Sequence, residues 1–340
     1  MKSLFVKDLQ KNLLIDNESF IINAVETAED KNGKLYANIT IGDKTGKISG
    51  KIWSDKLPMI DKRTLKPGAL VSISGKIDEF KGTLQVNIYD VVQVDETKMD
   101  DFLESSLYDA DEMYKEIITY AESIERKDLK AIILKILKDK DIERRFKYWP
   151  AAEIVHHAFR SGLLQHVLEM LNIMDSMKRF YPDVDYDILK AGIILHDIGK
   201  IDEFNFSGVN TEYSKLGTLV GHIVRGSQIF TEFGGDKLEE NVYLHVMHLI
   251  LSHHGILEYG SPVVPATVEG LMLTNIDNLS AKSRTADTAR ASIKGDQEFT
   301  NRIFWLENAK IWKGSNSTSL SKDSVISSEE TPALDAPSLF

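Results

Sequence analysis

Cysteine is absent from all 340 residues. Disulfides, thiolate zinc sites, iron–sulfur clusters and cysteine nucleophiles are thereby excluded, and a reducing compartment is compatible with the composition. Long apolar runs are missing too. No segment approaches the roughly 20 apolar residues of a membrane span. The opening stretch, MKSLFVKDLQKNLLIDNESF, interrupts its apolar residues with charge, unlike a secretory signal. The expectation is a cytoplasmic protein with no membrane partner. Basic charge is scarce: 41 Lys and Arg face 52 Asp and Glu, a net charge of −11. That disfavours a protein that coats nucleic acid by charge alone. The deficit is uneven, however. Residues 1–95 carry 14 basic against 13 acidic side chains, and the remainder 27 against 39. A near-neutral N-terminal part can meet a polyanion, and an acidic C-terminal part can bind cations. Histidine is lacking from the first 155 residues; all nine lie between 156 and 254.

What is present first is period-two alternation. The segments ESFIINAVETA, GKLYANITIGD, GKISGKIW, GALVSISGKIDEF and GTLQVNIYDVVQ alternate apolar and polar residues and are rich in Ile, Val and aromatics. Turn residues at 30–33, 43–46 and 81–82 separate several of them. A polar insertion, SDKLPMIDKRTLKPG, falls between the third and fourth segments. Five strands with that insertion predict a small OB-type barrel over residues 1–95. Beyond about residue 97 the period becomes helical. Residues 96–150 read as a helical connector of amphipathic helices, of which 101–148 offer a candidate surface for homo-oligomers. Residues 151–313 read as a second helical domain with longer apolar stretches. Residues 314–340 are Ser-rich without apolar periodicity and read as a disordered tail. The fold class is therefore multi-domain, an all-β barrel followed by an all-α domain.

The chemistry lies in the second part. AGIILHDIGK sets His196, Asp197 and Lys200 at the end of an apolar segment. Adjacent helical residues point about 100° apart, so they share a task only if something lies beyond the helix end, and a metal ion fits. His166 lies beside the apolar stripe Leu163, Val167, Met170 and Met174. His222 is flanked by Gly221 and Gly226, each costing about 1 kcal/mol in a helix. His253 and His254 end another apolar helix before Gly255, and Asp277 sits among small and apolar neighbours. Each has a structural reading when taken singly: a helix cap, a core histidine bonded to a carbonyl, a helix crossing, an imidazolium at a helix C-terminus. Imidazole and carboxylate without thiolate suit Mn, Fe, Co or Zn.

The ordered pattern H…HD…H…HH…D resembles the HD phosphohydrolase superfamily, over about 155–285. The stretches AAEIVHHAFRSGLLQHVLEM, LHDIGK, LVGHIVRG, LSHHGILEYGSP and NIDNLSAK, preceded by an OB-like part, are similar to the YhaM-type 3′–5′ exoribonucleases, from the N-terminus to about 313. The resemblance implies that His166, His196, Asp197 and Asp277 bind one divalent ion. It implies that His222, His253 and His254 bind a second, with Asp197 bridging. Manganese is the leading candidate for the pair. It further implies hydrolysis of single-stranded RNA from the 3′ end to nucleoside 5′-monophosphates by a water activated between two ions, with single-stranded DNA as an alternative polymer. Asp197 and Lys200 are the candidate catalytic residues, Lys200 as a donor to a phosphate oxygen. Arg225 is a weaker phosphate candidate, and residues 258–262 a candidate substrate entrance. His156 and His157 are open between substrate contact and structure; His245 and His248 are read as structural.

For a strand-binding barrel, the candidates are Tyr36, Trp53, Phe80 and Tyr89 for stacking and Lys34, Lys51 and Lys76 for backbone charge. Two other functions share these features. A hydrolase of small or cyclic nucleotides would use the same metal site but needs no strand platform. A non-catalytic, replication-associated nucleic-acid-binding factor would not need an intact ligand series.

Overall fold

The computed structural model describes residues 2–30, 33–80, 82–94, 101–102, 105–152, 159–206, 211–293 and 297–314. The candidates His156 and His157 and the expected tail from 315 onward lie outside them. The chain divides into two compact units, 1–284 and 285–340.

Five strands form the expected closed barrel: β1 (Leu14–Glu29), β2 (Leu35–Asp43), β3 (Gly46–Ile52), β4 (Leu70–Phe80) and β5 (Thr83–Gln93). Their order is β1-β2-β3-β5-β4, with β4 closing on β1 and the β3–β5 pair parallel. The alternation works as the sequence pattern requires. Ala37, Ile39 and Ile41 of β2, Ile48 and Ile52 of β3, Val71, Ile73 and Ile77 of β4, and Val86 and Ile88 of β5 all point into one core. Burying each Ile or Val contributes about 1.5–3 kcal/mol. β1 starts four residues before the segment read from the sequence. Its pairing with β4 shifts between Ile15 and Glu18, and Asn17 there has φ 52. That irregularity breaks the alternation and hides the first residues of the strand. The polar insertion carries only a single 3₁₀ turn, Leu57–Met59, whose Leu57 plugs the barrel core.

Three short helices follow: α1 (Ala110–Glu122), α2 (Lys127–Leu137) and α3 (Lys140–Tyr148). Asp109 and Asp139 cap α1 and α3 by accepting from the first free backbone N–H groups. The apolar faces of all three pack inward: Ile117, Ile133, Ile136 and Phe146 join the main helical core. The surface considered for self-association from the sequence is thus committed to intramolecular packing along its apolar side.

The remaining helices are α4 (Gly162–Met177), α5 (Tyr186–Leu195), α6 (Lys200–Glu203), α7 (Lys215–Leu219), α8 (His222–Glu232), α9 (Glu240–Ser252) and α10 (Val268–Ala291). A two-stranded ribbon, β6 (Phe204–Phe206) with β7 (Thr211–Tyr213), leaves α6. α5 is buried from Ile188 to Leu195, which explains why that span is apolar apart from Lys190, whose ammonium is held by Ser123 and Asp187. α9 packs against it so closely that a Cβ on Gly192 would lie 2.4 Å from Leu249. In the second unit, the end of α10 is followed by backbone bridges pairing Phe299 with Trp312 and Ile303 with Ala309.

Candidate metal centre and nucleic-acid face

Five imidazoles converge. Their ring centroids form a chain, with 5.4 Å from His166 to His196, 5.0 Å to His253, 4.4 Å to His254 and 5.2 Å to His222. Four helices deliver them. His166 stands on α4, His196 caps α5, His222 opens α8, and His253 and His254 follow α9. Two use the same local device. A helix C-terminus leaves carbonyls without partners, and the rings of His196 and His253 each donate Nδ1–H to the carbonyl three residues back, Ile193 and Ile250, both at 2.8 Å. His254 donates to the Tyr259 carbonyl (2.7 Å), His166 faces the Ser280 hydroxyl (3.0 Å), and His222 donates to Glu203 Oε1 (2.8 Å).

With Nδ1 engaged, Nε2 carries the lone pair. The Nε2 atoms of His196, His222 and His253 are buried without a hydrogen-bond partner, at a cost of about 1–3 kcal/mol each if nothing else satisfied them. Asp197 lies among them, 3% exposed. Its Oδ1 is 3.5 Å from His222 Nε2 and 3.6 Å from His253 Nε2; its Oδ2 is 3.3 Å from His196 Nε2 and 2.7 Å from Lys200 Nζ. Asp277, on α10, places Oδ1 3.2 Å from His166 Nε2. Two sets of ligand atoms each lie within 4.8 Å of one another: His222, His253 and His254; and His166, His196 and Asp197. Orphaned lone pairs, a carboxylate facing both sets and the absence of thiolate all fit divalent cations of the Mn, Fe, Co and Zn group.

The electrostatics are those of a ligand set. Burial drives the pKa values of His222 and His253 down and pushes His254 down to about 4, keeping these rings neutral. Burial opposes the ionised form of Asp197, yet the carboxyl is held well below its usual range, the Lys200 ammonium being the largest cause acting against burial. For Lys200, burial lowers the pKa and Asp197 more than restores it.

Glycine determines how closely the pieces approach. Gly199 has ordinary helical angles, φ −65 and ψ −17. A Cβ there would stand 2.1 Å from the His222 carbonyl oxygen and 2.7 Å from the Gly226 nitrogen. The glycines of HDIGK and GHIVRG are thus one contact, which seats α8 against the turn bearing Asp197.

Arg225 is held elsewhere. Its Nε donates to Asp202 and its Nη1 to Glu232, both at 2.7 Å. The 258–262 segment supplies the carbonyl that orients His254. His248 Nε2 accepts the Ala266 N–H at 2.8 Å, and His245 lies 3.1 Å from Glu269. Three participants escaped sequence reasoning: Glu203, Ser280 and Glu169. Ser280 donates to Glu169 behind His166 (3.0 Å). Glu203 stands seven residues after His196 in HDIGKIDE, and only the fold turns it back toward His222.

On the barrel, the side chains outside the core form rows. Lys51, Asn87 and Lys76 are direct cross-strand neighbours on β3, β5 and β4. Trp53 Nε1 donates to Asn87 Oδ1 at 3.1 Å. The Tyr36 and Trp53 rings lie 5.8 Å apart, with Lys51 Nζ 4.6 Å from each. Trp53, Tyr89 and Phe80 are 42%, 46% and 60% exposed, outside the barrel core. Lys34 lies in the β1–β2 turn and Phe80 at the β4–β5 turn.

A five-stranded OB barrel followed by a helical HD domain is the class that this fold and site define. The HD domain family matches residues 163–282, and the OB-fold nucleic acid binding domain family matches 21–94. The 3′-5′ exoribonuclease YhaM of Bacillus subtilis (strain 168) is 36% identical over 289 residues, 83% of this chain and 89% of the relative. The YhaM of Halalkalibacterium halodurans is 35% identical over 303 residues, 86% and 91% of the two chains. The chain belongs to the YhaM family. Among solved structures, the second OB-fold domain of replication protein A from Methanococcus maripaludis covers 29% of this chain and 99% of its own. It does so at 18% identity with a TM-score of 0.22, too low to bear on function. Among the described residues no helix is long and apolar enough to cross a membrane.

Proposed function

We propose that the protein is a metal-dependent 3′–5′ exoribonuclease that hydrolyses single-stranded RNA to nucleoside 5′-monophosphates. The relatives are named for that activity. The observation that carries the reading is Asp197, whose two oxygens face two separate imidazole sets. His166, His196, Asp197 and Asp277 would hold one ion; His222, His253, His254 and Asp197 would hold the other. When bound, such ions activate water and neutralise phosphate charge.

The chain's own residues do the remaining work. The Nδ1 hydrogen bonds fix five ring orientations, so the ligand set is preorganised. Lys200, buried and anchored on Asp197, adds positive charge where the scissile phosphate gains negative charge. Water oxygen bonds to phosphorus as the P–O3′ bond breaks, leaving a 3′-hydroxyl on the shortened strand. Tyr36, Trp53, Tyr89 and Phe80 offer stacking surfaces, and Lys34, Lys51 and Lys76 offer phosphate partners. Tethering this face to the hydrolase raises the local concentration of the polymer. That platform favours RNA strands over small nucleotides.

The test is digestion of a 3′-hydroxyl single-stranded RNA with product chromatography. Chelator should abolish release of 5′-monophosphates, Mn²⁺ should restore it, and Asp197→Ala should be inactive with either. Activity that survives both chelation and Asp197→Ala overturns the reading.

A further inference from the structure

We propose that Glu203 is the positioning residue of the His222, His253 and His254 ion, and that its charge sets the affinity of that ion apart from the other. The inference rests on the two-ion reading. Glu203 ends α6, three residues after Lys200, and is 5% exposed. One oxygen, Oε1, accepts both the backbone N–H of His222 (2.9 Å) and its ring Nδ1–H (2.8 Å). Backbone and ring of a single residue are therefore fixed by a single atom. The Glu203 backbone is fixed in turn: its carbonyl accepts from Ser214 N–H at 2.8 Å, and a Cβ on Gly217 would lie 2.2 Å from that carbonyl.

The charges on the two sides are unequal. The His166 and His196 set has Asp277 beside it as well as Asp197. The other set is three neutral imidazoles and a share of Asp197. His196, His253 and His254 are backed by neutral carbonyls, whereas His222 is backed by a carboxylate. A carboxylate behind an imidazole raises the basicity of the opposite nitrogen. Glu203 is also a buried anion whose ion-pair contact among the described residues is His222; the Lys200 ammonium, one turn earlier on α6, feels its charge but is anchored on Asp197. A buried charge requires compensation, and a cation on the far side of the His222 ring supplies it. Glu203 thus gives the second position the negative charge that its direct ligands lack.

The probe is Mn²⁺, titrated into the full-length protein, with free Mn²⁺ followed by electron paramagnetic resonance. The wild type should bind two ions. Glu203→Gln keeps the size and the accepting oxygen but removes the charge. It should weaken one ion by about 10- to 100-fold and leave the other unchanged. RNA hydrolysis by that variant should recover at high Mn²⁺. Should Glu203→Gln fail to fold, Glu203→Asp, which keeps the charge but shortens the reach, should weaken the same single ion by a smaller factor. Two ions in the wild type with both affinities unchanged, or both equally weakened, in the variant overturn the role of Glu203 and leave the two-ion reading standing. A wild type that binds one ion or none overturns both.

Discussion

Gly199 tests the geometry most directly. Its backbone angles suit any residue, so alanine would fail for one reason, the close approach of α8. The added Cβ would lie 2.1 Å from the His222 carbonyl oxygen. A carbon–oxygen contact settles near 3.3 Å, so the two must part by about 1.2 Å. His222 opens α8 and is tied through the same backbone, so its ring moves too. A displacement of about 1 Å at a catalytic group can cost about 10²-fold in rate. Overpacking a tight contact costs about 1–3 kcal/mol. Gly199→Ala should therefore lose about two orders of magnitude in kcat for single-stranded RNA and melt several degrees lower. Steady-state digestion and thermal unfolding, measured side by side, check both. A variant with kcat within threefold of wild type and unchanged melting would refute the claim that this contact seats His222.

Three further outcomes follow from the same geometry. Lys200→Met should lower kcat by about 10²- to 10³-fold with little change in KM under the proposed role, in which the ammonium meets charge that grows during reaction; an unchanged kcat removes Lys200 from the chemistry. Trp53→Ala should lose about 1–3 kcal/mol of strand binding, raising KM for a long RNA while turnover of a dinucleotide stays unaltered; an equal effect on both substrates would place Trp53 in folding rather than binding. Asp202 governs acid stability. Burial works to raise its pKa, but hydrogen bonds from Arg145 and Arg225 outweigh burial and lower it. A depressed folded pKa gives stability that is complete above the ordinary carboxylate value of about 4 and is lost as pH falls through the folded value. Urea unfolding should therefore show Asp202→Asn less stable than wild type at pH 7, with the gap closing below about pH 4; a gap independent of pH contradicts the assignment.

The sequence by itself determined the two architectures, because period two and period 3.6 are properties of consecutive residues. The five barrel strands and the buried α5 follow from that patterning, whereas the first residues of β1 do not, because the irregularity at Asn17 breaks its period. The seven side chains of the centre are legible only through the ordered pattern H…HD…H…HH…D and the family it resembles, since each His or Asp taken singly has a structural reading. The tertiary structure alone decided what stands behind them. Glu203, Ser280 and the carbonyls of Ile193, Ile250 and Tyr259 orient the rings through hydrogen bonds, some local to a helix end and others closing across distant segments. It also turned Arg225, plausible by spacing, toward Asp202 and Glu232. Residue type and periodicity are local and can be read along a chain; the direction a side chain takes is set by which neighbours the packed helices bring within about 3 Å of it, and that is not written in any single segment.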